Sequence, residues 1–480
     1  MIKPISSHLK PFYSVALATN LSILLTACSF QHYQPKPIDS IAIAQRFEHK
    51  NPAGEPFHLY LVNNGYLSSQ FPIQQWGLDE LTYCALFFHP SLDVARAQWR
   101  ATASSEAAAF EKTTPSINSH VSHSNQANQD ISPFALGLSI DIPIDTVNKR
   151  EIRIDNARHL SLAAKLEIAQ TAWELRNQVA QSLNEYQLNQ QLIKLLLDEQ
   201  DLRQQIVNIY QKRVNLGVAS NVELSTAKLQ FQITNAELST RQQAQLSNLS
   251  KLASNLGLPL AKVESLKLSD SSPELTLLIS QEKSSNLQTT ALLNRVDIRI
   301  ALEKYAASEA KLKLEIAKQY PDITISPGYA YEFGDRIWSL GLSSLLNFLN
   351  KNKLAIAEAT QLREVEAAQF EALQTKVIAE ANIASVAVSQ SQQALAQQQA
   401  LLLQQQRNTQ RMQRKLAAGE IDRLEFTYGK FENIVAEKNV ALAKFQLNAA
   451  LNQLENALQI PLNSSKINAN IERLSVKNSH

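Results

Sequence analysis

The sequence predicts a mainly α-helical protein that also contains membrane β-strands and consists of two copies of one structural unit. Only 11 of its 480 residues are glycine, and long runs of Ala, Gln, Leu, Glu and Lys favour helices. A few short segments instead alternate apolar with small or polar residues, which is typical of strands. A shift of 202 positions superposes two long parts of the chain, which indicates an internal duplication.

Residues 1–27 have the features of a secretory signal peptide. Lys3 and Lys10 precede an apolar run that is too short to span a bilayer comfortably. The run ends in Leu25-Thr26-Ala27-Cys28, which resembles the lipobox of bacterial lipoproteins. We therefore expect Cys28 to receive lipid and become the first residue of the mature chain; an ordinary signal with an incidental cysteine is the alternative.

Charge and cysteine content exclude several classes of function. Without Lys3 and Lys10 the formal charge of +2 falls to about zero, and basic residues are interspersed with acidic ones, so no nucleic-acid partner is expected. Only Cys84 remains after the signal, and it is expected to be a buried small hydrophobe without a disulfide. Because no later segment has 18 consecutive apolar residues, any crossing of a bilayer is expected to use strands.

The duplication defines the predicted domains. Gly217 superposes on Gly419, and the copies span residues 89–262 and 295–464, each with a helix, two strands, a long helix, a glycine interruption and a return helix. The remaining segments are 28–88 at the N-terminus, a polar linker at 263–294 and a tail at 465–480.

Four segments carry the strand pattern. Apolar residues alternate with small or polar ones over 134–145, 323–333 and 337–343, and a weaker segment, 117–124, is the counterpart of one of these. An apolar face with aromatics is typical of a membrane barrel; a soluble two-sided sheet is the alternative. Four strands cannot close, so a barrel would need several chains: two would supply eight strands and three would supply twelve.

Each copy also contains one very long helix. Residues 150–216 and 353–418 would each be about 100 Å long at 1.5 Å per residue. In the first helix, apolar residues recur every seven positions in two rows, one from Leu188 to Leu216 and one from Val179 to Val214. Two rows suit a ring of helices in which each member contacts a neighbour on both sides, although a coiled-coil bundle is the alternative. The second helix has one clear row, from Ala381 to Leu416.

Several motifs resemble the TolC family of Gram-negative outer-membrane efflux proteins. They are the lipobox, "HPSLDVARAQW", "LSIDIPID", "LGVAS", "AGEIDRLEF" and the paired endings "LGLPL" and "LQIPL". The resemblance implies a homotrimer in which long antiparallel helices form an α-helical barrel and twelve strands form a β-barrel. An equatorial belt would come from the N-terminal segment, the linker and the tail. One departure is that Asn148-Lys149 and Asn350-Lys351 occupy the strand-to-helix turns where the family usually has a glycine pair.

The resemblance also implies a function. It predicts the exit duct of a tripartite efflux system, which passively conducts drugs or other toxic solutes from an inner-membrane pump, through a periplasmic adaptor, across the outer membrane. The protein would be a lipoprotein carrying palmitate, anchored in outer-membrane lipid and extending into the periplasm. A non-conducting periplasmic scaffold lipoprotein is the alternative.

The same resemblance assigns candidate sites near the two central glycines. Gly217 and Gly419 would mark the turns of two helical hairpins at the periplasmic tip. Asp422, Arg423 and Glu425 are candidates for a gate, with solvated tip charges and Asp422 as a helix cap as the alternative. The candidate adaptor contacts, for which hairpin packing is the alternative, are Leu216, Val218, Leu416 and Leu424.

No feature of the sequence predicts an enzyme. The sequence lacks HExxH, GxSxG, P-loop and GxGxxG motifs. His120 and His123 are three residues apart on a predicted strand, which directs them to opposite faces. We therefore predict no catalytic residue, no metal and no cofactor.

Overall fold

The computed structural model describes residues 31–67, 71–125, 132–269, 284–332, 334–344 and 351–462. The chain divides into two compact units, Met1–His49 and Lys50–His480. The described part of the first unit contains helix α1, Ser40–Glu48, whose first turn is capped by the side chain of Asp39. Cys28 and the predicted tail at 465–480 lie outside the described residues.

The second unit contains the two predicted successions of elements. A helix, two strands, a long helix and a return helix occur twice in the same order, and the duplication itself stays a prediction from the sequence. The elements before and within the first succession are α2 (Glu55–Asn63), α3 (Leu78–Phe88), α4 (Pro90–Ala109), β1 (Ser116–His123), β2 (Phe134–Ile144), α5 (Lys149–Asn215) and α6 (Asn221–Leu256). Those that follow are α7 (Leu260–Glu264), α8 (Ser284–Asn294), α9 (Val296–Ala317), β3 (Ile323–Glu332), β4 (Asp335–Ser344), α10 (Lys353–Ala417) and α11 (Arg423–Leu458).

The four strands form one antiparallel sheet in the order β1-β2-β3-β4. Along β2 every second residue, from Phe134 to Ile144, is exposed, and these are the apolar ones. The register aligns Leu138, Tyr329 and Trp338 across three strands on this face, and the Tyr329 and Trp338 rings lie 4.9 Å apart. The predicted alternation is thus confirmed. In β2 the apolar face is the more exposed one, whereas β4 is exposed on both faces.

The strand-to-helix turns differ from the prediction. The residues in the left-handed region are Val147 and Asn148 before α5, and Lys351 and Asn352 before α10. The helices therefore start at Lys149 and Lys353, so the turns correspond at a shift of 204 rather than 202. The first turn is held by Lys149, whose Nζ donates to the Tyr320 carbonyl and, at 2.8 Å, to Asp322.

The two apolar rows of α5 contact different helices. Leu195 and Leu202 pack against Ile434 of α11, whereas Val207 packs with Leu224 and Ala227 of α6. Near the turn the two rows converge, since Ile209 of the first row lies in the same cluster as Val207, with Leu424 of α11. α5 thus packs against more than one helix, as expected of a helix with two seams.

The largest apolar core surrounds α5 in the half of the helix nearer the sheet. It brings together α2 and α3, residues 163–183 of α5, the end of α6 and the segment after it, so residues 57–88 and the start of the linker meet here. Cys84 is fully buried in this core, and burial raises the pKa of its thiol. Arg176, also buried, contacts Glu455, Asp79 and Thr82, which joins α5 to α11 and α3.

Within the described ranges, no helix combines the length and the apolar character that a bilayer span requires.

Candidate functional site: the two hairpin tips

Both hairpins turn at the glycines singled out in the sequence. Gly217 (φ +72°) follows α5 and Gly419 (φ +76°) follows α10, in the left-handed region where a side chain causes strain. In the first turn Val218 N–H donates to the Arg213 carbonyl and Gly217 N–H to the Val214 carbonyl; in the second, residues 420 and 419 repeat these bonds. This Schellman pattern satisfies the last carbonyls of each helix, so both glycines end a helix at a tight reversal.

The return helices are capped by different side chains at equivalent positions. Ser220 caps α6, and the Glu223 carboxylate returns to the Ser220 backbone N–H at 2.7 Å, completing a capping box. In the second hairpin Asp422 is the cap, and its Oδ1 accepts from the Glu425 N–H at 2.9 Å. Only the second cap therefore carries a charge of its own.

Asp422 also connects the two hairpins. Its Oδ2 accepts from the Arg213 guanidinium at 2.7 Å, so the last turn of α5 is tied to the first turn of α11. The hydrogen bond from the Glu425 N–H, and then the one from Arg213, lower the pKa of the Asp422 carboxyl below its usual value. Asp422 is consequently ionised at neutral pH and keeps the tie in its charge-assisted form.

Sequence reasoning missed Arg213. The other two gate candidates, Arg423 and Glu425, have exposed side chains, and among the described residues neither takes part in an ion pair. Arg213 aligns with Lys415 at the shift of 202, so a basic residue at the same place in both copies was the available signal.

The apolar tip residues fall into two groups. Leu216 and Val218 are 77% and 70% exposed, and Leu416 is half-buried. Leu424 is only 8% exposed and packs in a cluster with Ile206 and Leu224. Its position matches the hairpin-packing alternative, while Leu216 and Val218 offer an open apolar surface.

A second tie joins the hairpins farther from the turns. Glu199 of α5 is buried and accepts from Lys438 of α11 and, at 3.0 Å, from the hydroxyl of Thr234 in α6. Burial raises the pKa of Glu199, but the hydrogen bond and charge of Lys438 outweigh it and the net pKa is lowered. Arg203 lies 3.4 Å from the same carboxylate and stacks 3.9 Å from the Phe431 ring centroid. The sequence showed no signal for this cluster, because its members come from three distant helices.

With this geometry established, the comparisons identify the family. Residues 81–258 match the family model described as outer membrane efflux protein. This part of the chain is an outer membrane efflux protein domain. The resemblance seen in the sequence is thereby confirmed, and an outer-membrane location and a role as an efflux exit duct follow from the family. It is a family of efflux proteins, not of enzymes.

Solved structures of outer-membrane channels share the fold of this chain. The outer-membrane channel OprN is 18% identical, with a TM-score of 0.66, and the match covers 90% of this chain and 99% of that one. VceC from Vibrio cholerae is 17% identical, TM-score 0.64, covering 79% and 95%. The Campylobacter jejuni CmeC channel is 14% identical, TM-score 0.64, covering 90% and 94%. No curated protein matches the chain by sequence.

Proposed function

We propose that three copies of this chain form the outer-membrane exit duct of a tripartite efflux system, which passively conducts small molecules such as drugs or other toxic solutes. The observation that carries the proposal is the exposed apolar face of the sheet. Trp338 is 81% exposed and Leu340 70%, whereas water-facing surfaces rarely keep contiguous apolar patches of this kind. Lipid is the surrounding in which such a face is stable.

The sheet also supports assembly from several copies. β1 and β4 lie at its two edges, so each chain presents two rows of backbone groups without a ladder partner in the described sheet. Unpaired backbone groups cost several kcal/mol each in hydrocarbon, which favours closure by joining β4 of one copy to β1 of the next. Three copies supply twelve strands and six helical hairpins. The elements near Arg176 would form the equatorial belt, to which the tail at 465–480 is also assigned.

The hairpin tips would be the gate and the docking point. Arg213 and Asp422 hold the two hairpins of a subunit together, and Arg423 and Glu425 are free to face a neighbouring subunit. The periplasmic adaptor of an inner-membrane pump would contact Leu216, Val218 and the exposed edge of Leu416. Energy would come from that pump.

The mature chain would be anchored in the outer membrane through lipid on Cys28. The proposal rests on the lipobox sequence alone. Mass spectrometry of the purified protein tests it: wild type carries a diacylglycerol and palmitate on residue 28, and Cys28→Ala does not. An unlipidated wild-type N-terminus would contradict the anchor and leave the duct unaffected.

The duct is tested by assembly and conductance. Purified protein in detergent is expected to run as a heat-modifiable trimer on gels and to produce discrete ion conductance in planar bilayers. A monomer that needs no detergent and does not conduct would reject the proposal. It would favour the scaffold alternative instead.

A further inference from the structure

The hairpin tips concentrate positive charge in a nearly neutral chain. Within 202–229 and 404–431, which extend about 20 Å from each turn, ten residues are basic and four acidic. The rest of the chain has 36 basic and 40 acidic residues. The two windows are about 200 residues apart in sequence, and the Arg213–Asp422 ion pair brings them together.

Most of these cations have no anionic partner. In the second hairpin six basic side chains are exposed, and within the part of the chain that the structure describes none is in an ion pair: Arg407, Arg411, Arg414, Lys415, Arg423 and Lys430.

The first hairpin adds Lys212 and Lys228, which are exposed and likewise unpaired among the described residues. Two of the four tip carboxylates are already engaged, Asp422 by Arg213 and Glu223 by its capping box. Eight basic and four acidic side chains of the two windows are exposed, so the exposed surface there carries a surplus of four positive charges.

Assembly of the chain with itself keeps the surplus within these two windows. Arg203 is paired with Glu199 outside the window, so each copy adds an excess of five positive charges at the tip; three copies triple it, and like charges repel. Salt or a different molecule of negative charge can balance it.

We propose that the tips dock an acidic protein surface: a periplasmic adaptor whose docking end carries an excess of Asp and Glu. The proposal rests on the duct function above and specifies the chemistry of its partner. The exposed Leu216 and Val218 lie within the basic surface, and an apolar centre with a charged rim is the composition of a protein interface. The charges would steer the encounter and select the partner, while the apolar residues supply buried area.

Photo-crosslinking identifies the partner surface. A photoreactive phenylalanine at Ala418, which is exposed beside the second turn, is incorporated in cells and the crosslinked segment is sequenced by mass spectrometry. We expect that segment to belong to an adaptor and to contain more Asp and Glu than Lys and Arg within ten residues of the crosslink. A neutral or basic segment would overturn the proposal.

Charge reversal tests whether the cations cause the docking. Lys228→Glu, Arg407→Glu and Arg411→Glu together avoid the helix ends and the gate candidates. We expect crosslinking to fall at least tenfold, and Asp-to-Lys or Glu-to-Lys changes in the crosslinked segment to restore it. The matched control reverses three exposed lysines far from the turns, Lys194, Lys313 and Lys444, and changes crosslinking less than twofold. A heat-modifiable oligomer shows that each variant is folded. Equal crosslinking yields from both triple variants would refute the proposal.

A lipid surface is distinguished by a separate measurement. Wild-type protein is mixed with phosphatidylglycerol or phosphatidylcholine vesicles at 0.05 and 0.3 M salt. Equal binding to both is expected; a preference for phosphatidylglycerol that disappears in the tip triple variant would replace the protein partner by an anionic membrane. If wild type conducts in planar bilayers but the crosslinked segment is not acidic, the docking proposal alone fails.

Discussion

The two long helices have nearly the same length but very different surroundings. α5 has 67 residues, of which 24 are buried, whereas α10 has 65 residues and only five buried ones. α5 packs against helices of both successions, while the buried row of α10, Val377 to Val388, packs with α8, α9 and α11. The opposite side of α10 carries Ile383, Val386 and Leu401, all exposed.

The difference indicates which helix completes its packing only on assembly. From Ala381 to Gln406, α10 has no charged residue, although many of its side chains are exposed. An uncharged, partly apolar surface of this length is typical of a helix that meets a neighbour. We therefore expect the exposed side of α10 to contact the next copy. This contact would give α10 a second seam, which α5 already has within its own chain.

The largest effect is expected from a charge on that exposed side. Ile383→Lys would bury an unpaired ammonium between copies at a cost of several kcal/mol. The heat-resistant oligomer should disappear from gels, while circular dichroism stays helical. Gln205→Lys, at an exposed polar position of α5, is the control and should assemble normally. An Ile383→Lys trimer as stable as wild type would show that this side faces solvent.

The second-largest effect is expected from the buried cation of α5. Arg176→Ala in α5 leaves Glu455 and Asp79 without their buried cation, so the free energy of unfolding should fall by about 3–5 kcal/mol. Thermal melting in detergent measures it. Arg363→Ala in α10 breaks only a surface pair with Glu364 and should leave the melting temperature unchanged. Equal losses from both variants would mean that the two helices are equally supported.

A smaller loss is expected at the tie between hairpins. Glu199→Gln removes the charge that holds Lys438 and should cost about 1.5–3 kcal/mol, because hydrogen bonds to charged groups are worth that much. Melting of this variant is compared with Glu185→Gln, whose pair with Lys251 is exposed. If Glu185→Gln costs as much, burial of Glu199 has no special role.

The smallest effect on stability belongs to the tip. Asp422→Asn keeps a capping oxygen but loses the ion pair with Arg213, so it and Arg213→Gln should each cost about 0.2–1 kcal/mol. Because the pair holds the hairpins together, both should raise open-channel conductance in bilayers, and the double variant should add little. Independent, additive effects of the two substitutions would indicate that the pair does not act as one latch.

The pH dependence follows from the sign of the Asp422 shift. Folding lowers the pKa of Asp422, so its charge stabilises the folded protein. This stabilisation is complete above the pKa of the unfolded chain, about 3.9, and is lost as the pH falls through the pKa of the folded protein. The tip tie should therefore persist from pH 7 to pH 5. Conductance that rises in that interval in wild type, but not in Asp422→Asn, would contradict this assignment.

Much of the fold was predictable because it depends on local periodicity. The alternation from Phe134 to Ile144 identifies β2, and the heptad rows identify α5 with both of its seams. The turns before α5 and α10 were placed less well, because Val147 and Lys351 adopt left-handed conformations that their side chains do not favour. The ion pair at the tip was only partly predicted, since Asp422 was chosen and Arg213 was not.

By itself, the sequence determined the helices, the strands and the glycine turns, since each follows from side-chain spacing within a few turns of the chain. Only the tertiary structure decided which groups from distant segments meet. Arg213 pairs with Asp422, Glu199 with Lys438, and two basic windows become one surface. Electrostatic contacts depend on separation in space, and two hairpins about 200 residues apart carry no local pattern that records their pairing.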